Sequence, residues 1–493
     1  MPHRPSFSAL SGSPSDSAAI SAGIRPKTDL PADPDGDPAT ASARDLVIGA
    51  GEAARLFDAC GPFEPRPQIA AAVSGGPDSL ALAWLLQRWL KAQGGKLLAL
   101  IVDHRLRAGS AEEAAGVSAH LTRLGIANQV LVWGDEVGVA TGSQAAAREA
   151  RYRLLNEACR TAGILHLMLG HHRDDQVETL LQRADSGSGP DGLAGMPAIS
   201  ELSDLRLLRP LLTQPKVRLL ATCRTAALSF VEDPSNQDVR FARSRLRART
   251  ADLAEAGLEP VLLADLTATA GRLRAATEGR VAALLAEAVS LHPAGFASLE
   301  PALVAAPDPL ALRALAQVLA CVGGGGWPPR AARTQRALES LRARPHRPIT
   351  LGGCRLLAWE GGWLAVREPR AQISPLAPGR SLHWDGRFAV ELRAGAPPGL
   401  TVGPLGEAGW LALRTISPAL KAVAFPRPVR ISLPALFDGD APLAVPQLAF
   451  ARTGWDPDLF SCRFRPYRAL TKGRFHVPQS VAVDDLGTSF TVA

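Results

Sequence analysis

A short apolar run, Gln68-Ile69-Ala70-Ala71-Ala72-Val73, leads without a spacer into Ser74-Gly75-Gly76-Pro77-Asp78-Ser79 and then into an apolar stretch over 80–90. No other feature restricts the fold as much. Two glycines permit a tight turn and a close approach of backbone to ligand. Pro77 suits the first position of a helix, and Asp78 suits the first turn, where a carboxylate meets the positive end of the helix dipole. Strand, glycine turn and helix in that order present unbonded N–H groups to an anion. Ser74 and Ser79 add hydroxyl donors. Asp78 repels bare phosphate, so it fits as a Mg2+ ligand beside one. A plain capped helix uses the same letters, and a six-residue string alone does not separate the two. The Walker string GxxxxGK[ST] is absent. Gly187-Ser188-Gly189-Pro190-Asp191-Gly192 matches GxGxxG by letter, but no strand precedes it and Pro190 interrupts it, which excludes a dinucleotide fingerprint there.

Around this turn the pattern alternates. LLALIVDH (97–104), NQVLVW (128–133) and ILHLMLG (164–170) read as strands, with helices over 78–90, about 110–124, about 143–162 and from about 173. Such alternation implies a parallel sheet with crossover helices, whose ligands sit beyond the carboxyl ends of the strands. Residues 239–345 read as mostly helical, and short strands dominate after 346 (RPITLGG, RLLAW, GWLAVRE). The expected fold is α/β. Residues 1–47 are a disordered leader, with seven prolines and eight serines in the first 45. Residues 48–250 are the parallel-sheet domain, 251–345 a helical middle domain, and 346–493 a smaller α+β C-terminal domain.

The strand at 164–170 ends in Gly170-His171-His172-Arg173-Asp174-Asp175-Gln176-Val177-Glu178. A helix starting near 171 places His171, Asp175 and Glu178 on one face, with Val177, Leu180 and Leu181 turned toward the sheet. Asp174 and Asp175 could equally serve only the helix dipole. Asp103-His104 closes the second strand at the same edge. Arg148 shares a helical stripe with Tyr152, Leu155 and Cys159, and Arg151 follows; a buried-side arginine needs an acceptor, either a carboxylate or a phosphate.

The chain of 493 residues holds 54 basic and 47 acidic side chains, a net charge of +7; six lysines leave 48 arginines. That balance permits a nucleic-acid partner without requiring one. Six scattered cysteines form no CxxC pair, which argues against structural zinc, an iron–sulfur cluster or a disulfide scaffold and fits the reducing cytoplasm. No apolar run approaches the ~18 residues of a membrane helix, so no membrane partner is expected.

SGGPDSLAL (74–82) resembles the pyrophosphate loop of the N-type ATP pyrophosphatases. Together with VDHRLR (102–107), AAREARYRLL (146–155), GHHRDDQVETLL (170–181), GSGPDGLAGMP (187–197), LLRPLL (207–212) and VEDPSNQDVRFARSRLR (231–247), it resembles the tRNA(Ile)-lysidine synthetase family over about 70–250. The resemblance implies an N-type ATP pyrophosphatase (PP-loop) domain, ATP and Mg2+ as cofactors, and CAU-anticodon tRNA(Ile) and free L-lysine as substrates. ATP would adenylate O2 of the wobble cytidine, and the lysine ε-amine would then displace AMP. By the same resemblance Ser74, Gly75, Gly76, Pro77, Asp78 and Ser79 hold ATP, with Asp78 and Asp175 beside Mg2+. Asp78, Asp103, His171, Asp175 and one of Arg148 and Arg151 stand at the reaction centre. Asp174 and Glu178 would meet substrate. The family usually has an arginine just before GSG, whereas Asp185-Ser186 stand here.

For the RNA, Arg240, Arg243 and Arg247 line one helical face. Arg465 and Arg468 lie in CRFRPYRALTKGRFH (462–476), where basic and aromatic side chains alternate. RNA backbone and base stacking would explain both segments; so would a solvated helix face and an amphipathic strand. A homodimer is left open. The rival readings are another PP-loop tRNA-modifying enzyme such as a thiolase, and a catalytically silent RNA-binding homologue.

Overall fold

The computed structural model describes residues 46–105, 109–133, 144–202, 204–230, 252–370, 372–423, 425–471 and 473–479. The leader up to 45 and Arg240, Arg243 and Arg247 lie outside the described residues.

In the N-terminal half the elements are α1 (Ala50–Asp58), β1 (Gln68–Ala72), α2 (Pro77–Ala92), β2 (Lys96–Asp103), α3 (Ser110–Arg123), β3 (Asn128–Val132), α4 (Gln144–Thr161), β4 (His166–Leu169), α5 (Arg173–Asp185), α6 (Pro190–Leu193), β5 (Ile199–Glu201), β6 (Arg206–Leu208) and α7 (Lys216–Thr225). They form a six-stranded sheet in the order β3-β2-β1-β4-β6-β5. Every neighbouring pair is parallel except β5 with β6. The central strand β1 is buried on both faces, which is why it is built of alanine: Ala71 faces the core of α1, α2 and α3, while Ala70 and Ala72 face the core of α4. α2 follows with Leu80, Leu82, Leu85, Leu86 and Leu90, all at most 3% exposed. Fully burying a leucine contributes roughly 1.5–3 kcal/mol, so this one helix secures the strand–turn–helix unit.

The long helix α8 (Pro260–Ala288) leads out of this domain. Val177, Leu180 and Leu181 of α5 pack against Leu263 of α8, not against the sheet as the sequence pattern suggested. The apolar face of α5 is thus spent on an element distant in sequence, a contact that local periodicity does not specify. Next come β7 (Val289–His292), β8 (Phe296–Leu299), α9 (Pro301–Ala305), α10 (Asp308–Gly323), α11 (Ala331–Ala343), β9 (Ile349–Leu351), β10 (Cys354–Trp359) and β11 (Gly362–Arg367). They give one five-stranded sheet, β7-β8-β11-β10-β9. The β7–β8 hairpin falls inside the stretch read as helical: VSLH and FASL alternate with period two around a Pro-Ala-Gly turn, and β8 pairs with β11 across position 346. Two further antiparallel sheets, of five and three strands, complete the C-terminal region, the last strand being Phe460–Phe464.

Where the sheets meet, Asp385 takes the guanidinium groups of both Arg367 and Arg387, and these side chains are 5%, 6% and 1% exposed. Arg387 also donates to the carbonyls of Gly295 and Ser432, so this buried triad ties the hairpin to the C-terminal sheets.

Candidate active site

The glycine turn sits at the carboxyl end of β1, as a parallel sheet requires. Gly75 has φ +83°, and a Cβ there would lie 2.5 Å from Val117 Cγ2 of α3, so only glycine fits without strain. Ser79 knits the turn: its Oγ donates to Gly76 O (3.0 Å), accepts from Ser74 N (3.1 Å) and lies 3.3 Å from Ser74 Oγ. The turn therefore keeps its shape before any ligand arrives. α2 begins at Pro77, with no side-chain cap on its first N–H groups.

β4 runs beside β1 and brings the second constellation to the turn. Gly170 makes this approach possible, since a Cβ there would lie 3.0–3.1 Å from Asp78 O, Asp78 C and Ser79 Cα. α5 starts at Arg173, with His172 as its N-cap. That is the start the strand–helix alternation gives, and it leaves His171 before the helix, so His171 does not share a helical face with Asp175 and Glu178 as a start near 171 would require. The imidazole of His172 meets the carboxylates of Asp78 and Asp175. Its Nε2 lies 3.5 Å from Asp78 Oδ2 and 3.6 Å from Asp175 Oδ2. Its backbone N–H donates to Asp175 Oδ2 at 2.9 Å, a capping box that fixes both side chains. His172 is 3% exposed. Burial pushes its pKa down, but the Asp78 hydrogen bond and the charges of Asp175, Asp78 and Asp174 outweigh burial and hold it above the usual imidazole value. The pattern "His, then Asp three residues on" was the available signal for this residue.

Asp103, 4% exposed at the end of β2, accepts from Ser110 Oγ (2.7 Å) and Arg105 N (3.0 Å). Burial raises its pKa, but these hydrogen bonds and the Arg105 and His104 charges outweigh it, so the carboxyl stays below its ordinary range. The next residue, His104, is pushed down by burial and then by the charge of Arg151. Arg148 instead stacks on Tyr152, 5.2 Å from the ring centroid. A crevice of about 440 Å3 follows, lined by His172, Asp174, Glu178 and Lys216 among others, with Glu178 itself 8% exposed.

Asp78 Oδ1 is buried without a hydrogen-bond partner among the described residues. No group of three His, Cys, Asp or Glu that could hold a metal occurs among those residues. One orphaned carboxylate oxygen beside an anion site fits Mg2+, which keeps waters and takes one or two carboxylates plus substrate phosphates. Near the end of α5, Arg183 Nη1 donates to the carbonyls of Gly192 (2.8 Å) and Gly195 (2.7 Å), so an arginine inside the helix holds the 192–195 stretch that follows the Gly-Ser-Gly string.

The C-terminal basic–aromatic segment divides. Phe460–Phe464 is a strand. Arg465 faces Asp204 at 3.7 Å, and Arg468 lies over Trp327, 4.8 Å from its centroid, with Trp327 81% exposed. Phe475 is buried at 4% beneath Arg274, which removes it from any base-stacking surface.

A family model described as a PP-loop domain matches residues 51–253. A tRNA(Ile)-lysidine synthase of a Bradyrhizobium strain is 48% identical over 235 residues, 47% of this chain and 64% of that protein. The chain thus spans just under two thirds of that relative. A tRNA(Ile)-lysidine synthase of Ruegeria pomeroyi is 33% identical over 416 residues, 84% of this chain and 97% of that protein. Among solved structures, a U34-tRNA thiolase from Methanococcus maripaludis is 18% identical with a TM-score of 0.39, covering 45% of this chain and 78% of that one.

Proposed function

The chain belongs to the tRNA(Ile)-lysidine synthase family, and on that premise we propose that it ligates free L-lysine to C2 of the wobble cytidine of a CAU-anticodon tRNA(Ile). The observation that carries this reading is the junction of the 74–79 turn with His172, Asp78 and Asp175 at one sheet edge.

In the first half-reaction the cytidine O2 attacks the α-phosphorus of ATP and diphosphate leaves. Negative charge grows on the phosphoryl oxygens, and fixed N–H groups stabilise it best when they need not reorganise. The uncapped start of α2 and the turn held by Ser79 supply such donors. Asp78 and Asp175 would hold Mg2+, which supplies further charge neutralisation when bound. His172 keeps the two carboxylates in place through its side-chain and backbone N–H groups.

In the second half-reaction the lysine ε-amine attacks C2, and the C2–O bond breaks, the oxygen leaving with AMP. The attacking ammonium must first lose a proton, which calls for a carboxylate or imidazole at the site. The crevice with Asp174 and Glu178 suits a cationic side chain. Arg148 and Arg151, one turn apart on α4, are the candidate cations for the charge that develops at the sheet edge. Burial raises the thiols of Cys60, Cys223, Cys321, Cys354 and Cys462 to about 12 and Cys159 to about 11, which removes the thiolate a cysteine-based sulfur transfer would need. Among the described residues no helix is long and apolar enough to cross a membrane.

The test incubates the purified chain with ATP, labelled lysine and a tRNA(Ile) CAU transcript. Label retained in the RNA, dependent on ATP and on the cytidine, is expected. Folded protein that leaves the RNA unlabelled overturns the proposal.

A further inference from the structure

The catalytic edge of the sheet continues past the junction just described. β6 is parallel to β4, so Arg209, directly after β6, lies at the same edge as His171 and His172. Beyond it is a cavity of about 720 Å3, walled by the β5–β6 region, by α8 and by residues 474–479. That last segment is firmly seated: Ala198 N donates to His476 O at 2.8 Å, and Phe475 N donates to Glu278 Oε2 at 3.0 Å.

Arg173, Arg209, Arg272 and Arg474 line the cavity against one carboxylate, Asp265. Arg209 is 7% exposed; its Nη1 donates to Pro197 O (2.9 Å) and Ser200 Oγ (3.0 Å). Its buried Nε has no hydrogen-bond partner among the described residues, and neither has that of Arg173, whose nearest approach to Asp174 is 4.0 Å. Buried guanidinium N–H groups left unbonded are costly, and an anionic acceptor removes that cost. Arg173 also lines the 440 Å3 crevice beside His172 and Asp174, so the two cavities share it.

We propose that this cavity binds a phosphate group of the RNA strand, from a nucleotide neighbouring the one held at the reaction centre. The inference rests on the RNA-modifying reading above and adds a second anchoring point to it. Guanidinium forks match phosphate oxygens in pairs. A nucleotide fits the volume, since small-ligand pockets run roughly 300–1,000 Å3. Val261, Ala264 and Ala268 of α8 give the cavity an apolar wall against which a base or ribose can rest. Free diphosphate, which leaves in the first half-reaction, shares the phosphate chemistry and is the competing source.

The test uses the full chain with Arg272→Ala and Arg474→Ala combined, both residues being exposed. A fluorescent RNA stem-loop with a CAU loop is titrated by anisotropy at several salt concentrations. Affinity should fall tenfold or more, and the slope of log K against log salt should shrink by about 0.7, the value for one lost single-strand phosphate contact. ATP binding by equilibrium dialysis should not change. Unaltered RNA affinity and slope in the variant, with wild-type binding intact, overturn the inference and leave the ligase reading standing. A wild-type chain that binds no RNA overturns both. Calorimetric binding of sodium diphosphate that disappears in the variant while RNA affinity holds assigns the cavity to the free anion, which also overturns it.

Discussion

Replacing Gly75 with alanine adds one methyl at the tightest point of the glycine turn. The residue has φ +83°, and the new Cβ would meet Val117 Cγ2 at 2.5 Å, with Val117 Cβ and Cγ1 at 3.8 and 3.9 Å. Two costs follow. Left-handed backbone costs a non-glycine residue roughly 1–2 kcal/mol. Overpacking against a side chain that is 8% exposed costs about 1–3 kcal/mol more. Gly75→Ala should therefore destabilise the chain by about 2–5 kcal/mol in urea unfolding and weaken ATP binding at least tenfold. Val117→Ala removes two methyl groups, about 1.6 kcal/mol at ~0.8 per buried carbon. Combined with Gly75→Ala it should recover the overpacking part only, a coupling of about 1–3 kcal/mol, because the backbone strain stays. Strict additivity of the two substitutions, within the ~0.5 kcal/mol typical of independent sites, would refute the steric reasoning. So would a Gly75→Ala protein with wild-type stability and ATP affinity.

His172→Ala removes the imidazole from between Asp78 and Asp175; AMP release in single turnover should fall about 100-fold or more, comparable to losing one positioned proton-transfer group, and a wild-type rate would contradict the assignment. Asp103→Ala strands Ser110 Oγ and Arg105 N, costing about 1–3 kcal/mol. Because the folded state holds the Asp103 carboxyl below its ordinary range, its contribution is present above the unfolded pKa and disappears as pH falls through the lower folded value; urea unfolding of wild type and variant should therefore converge in strong acid. Asp385→Ala leaves Arg367 and Arg387 facing each other in the interior, and a loss of about 3–5 kcal/mol in the thermal or urea transition of the C-terminal region is expected.

Much of the site was legible because its chemistry is local. The turn 74–79 follows its strand in sequence, and its helix begins at Pro77, one residue from the expected 78. Four of the five parallel strands, β1 to β4, and their helices fell within two residues of their sequence signals, since apolar runs bounded by glycine and polar turns leave little choice; the three-residue β6 was not among those signals. What stayed hidden depends on distant contacts. That His172 meets Asp78 follows from the start of α5 at 173, a boundary set by the capping box, where the sequence left both 171 and 173 open. The face of α5 could not be assigned from its own periodicity, because α8 covers it. The β7–β8 hairpin escaped notice because its four-residue strands are short beside the long helices around them. Arg209 sits in the LLRPLL string (207–212), but nothing in that string gives it a role; only the parallel pairing of β6 with β4 brings it to the edge that holds His172.

The most direct measurement is a crystal structure of the chain soaked with a non-cleavable ATP analogue and Mg2+. Phosphate density against the Gly75-Gly76 backbone and the first turn of α2, with the cation touching Asp78, is the expected result. An analogue bound anywhere else, with that turn empty, would contradict the assignment of every residue placed around it.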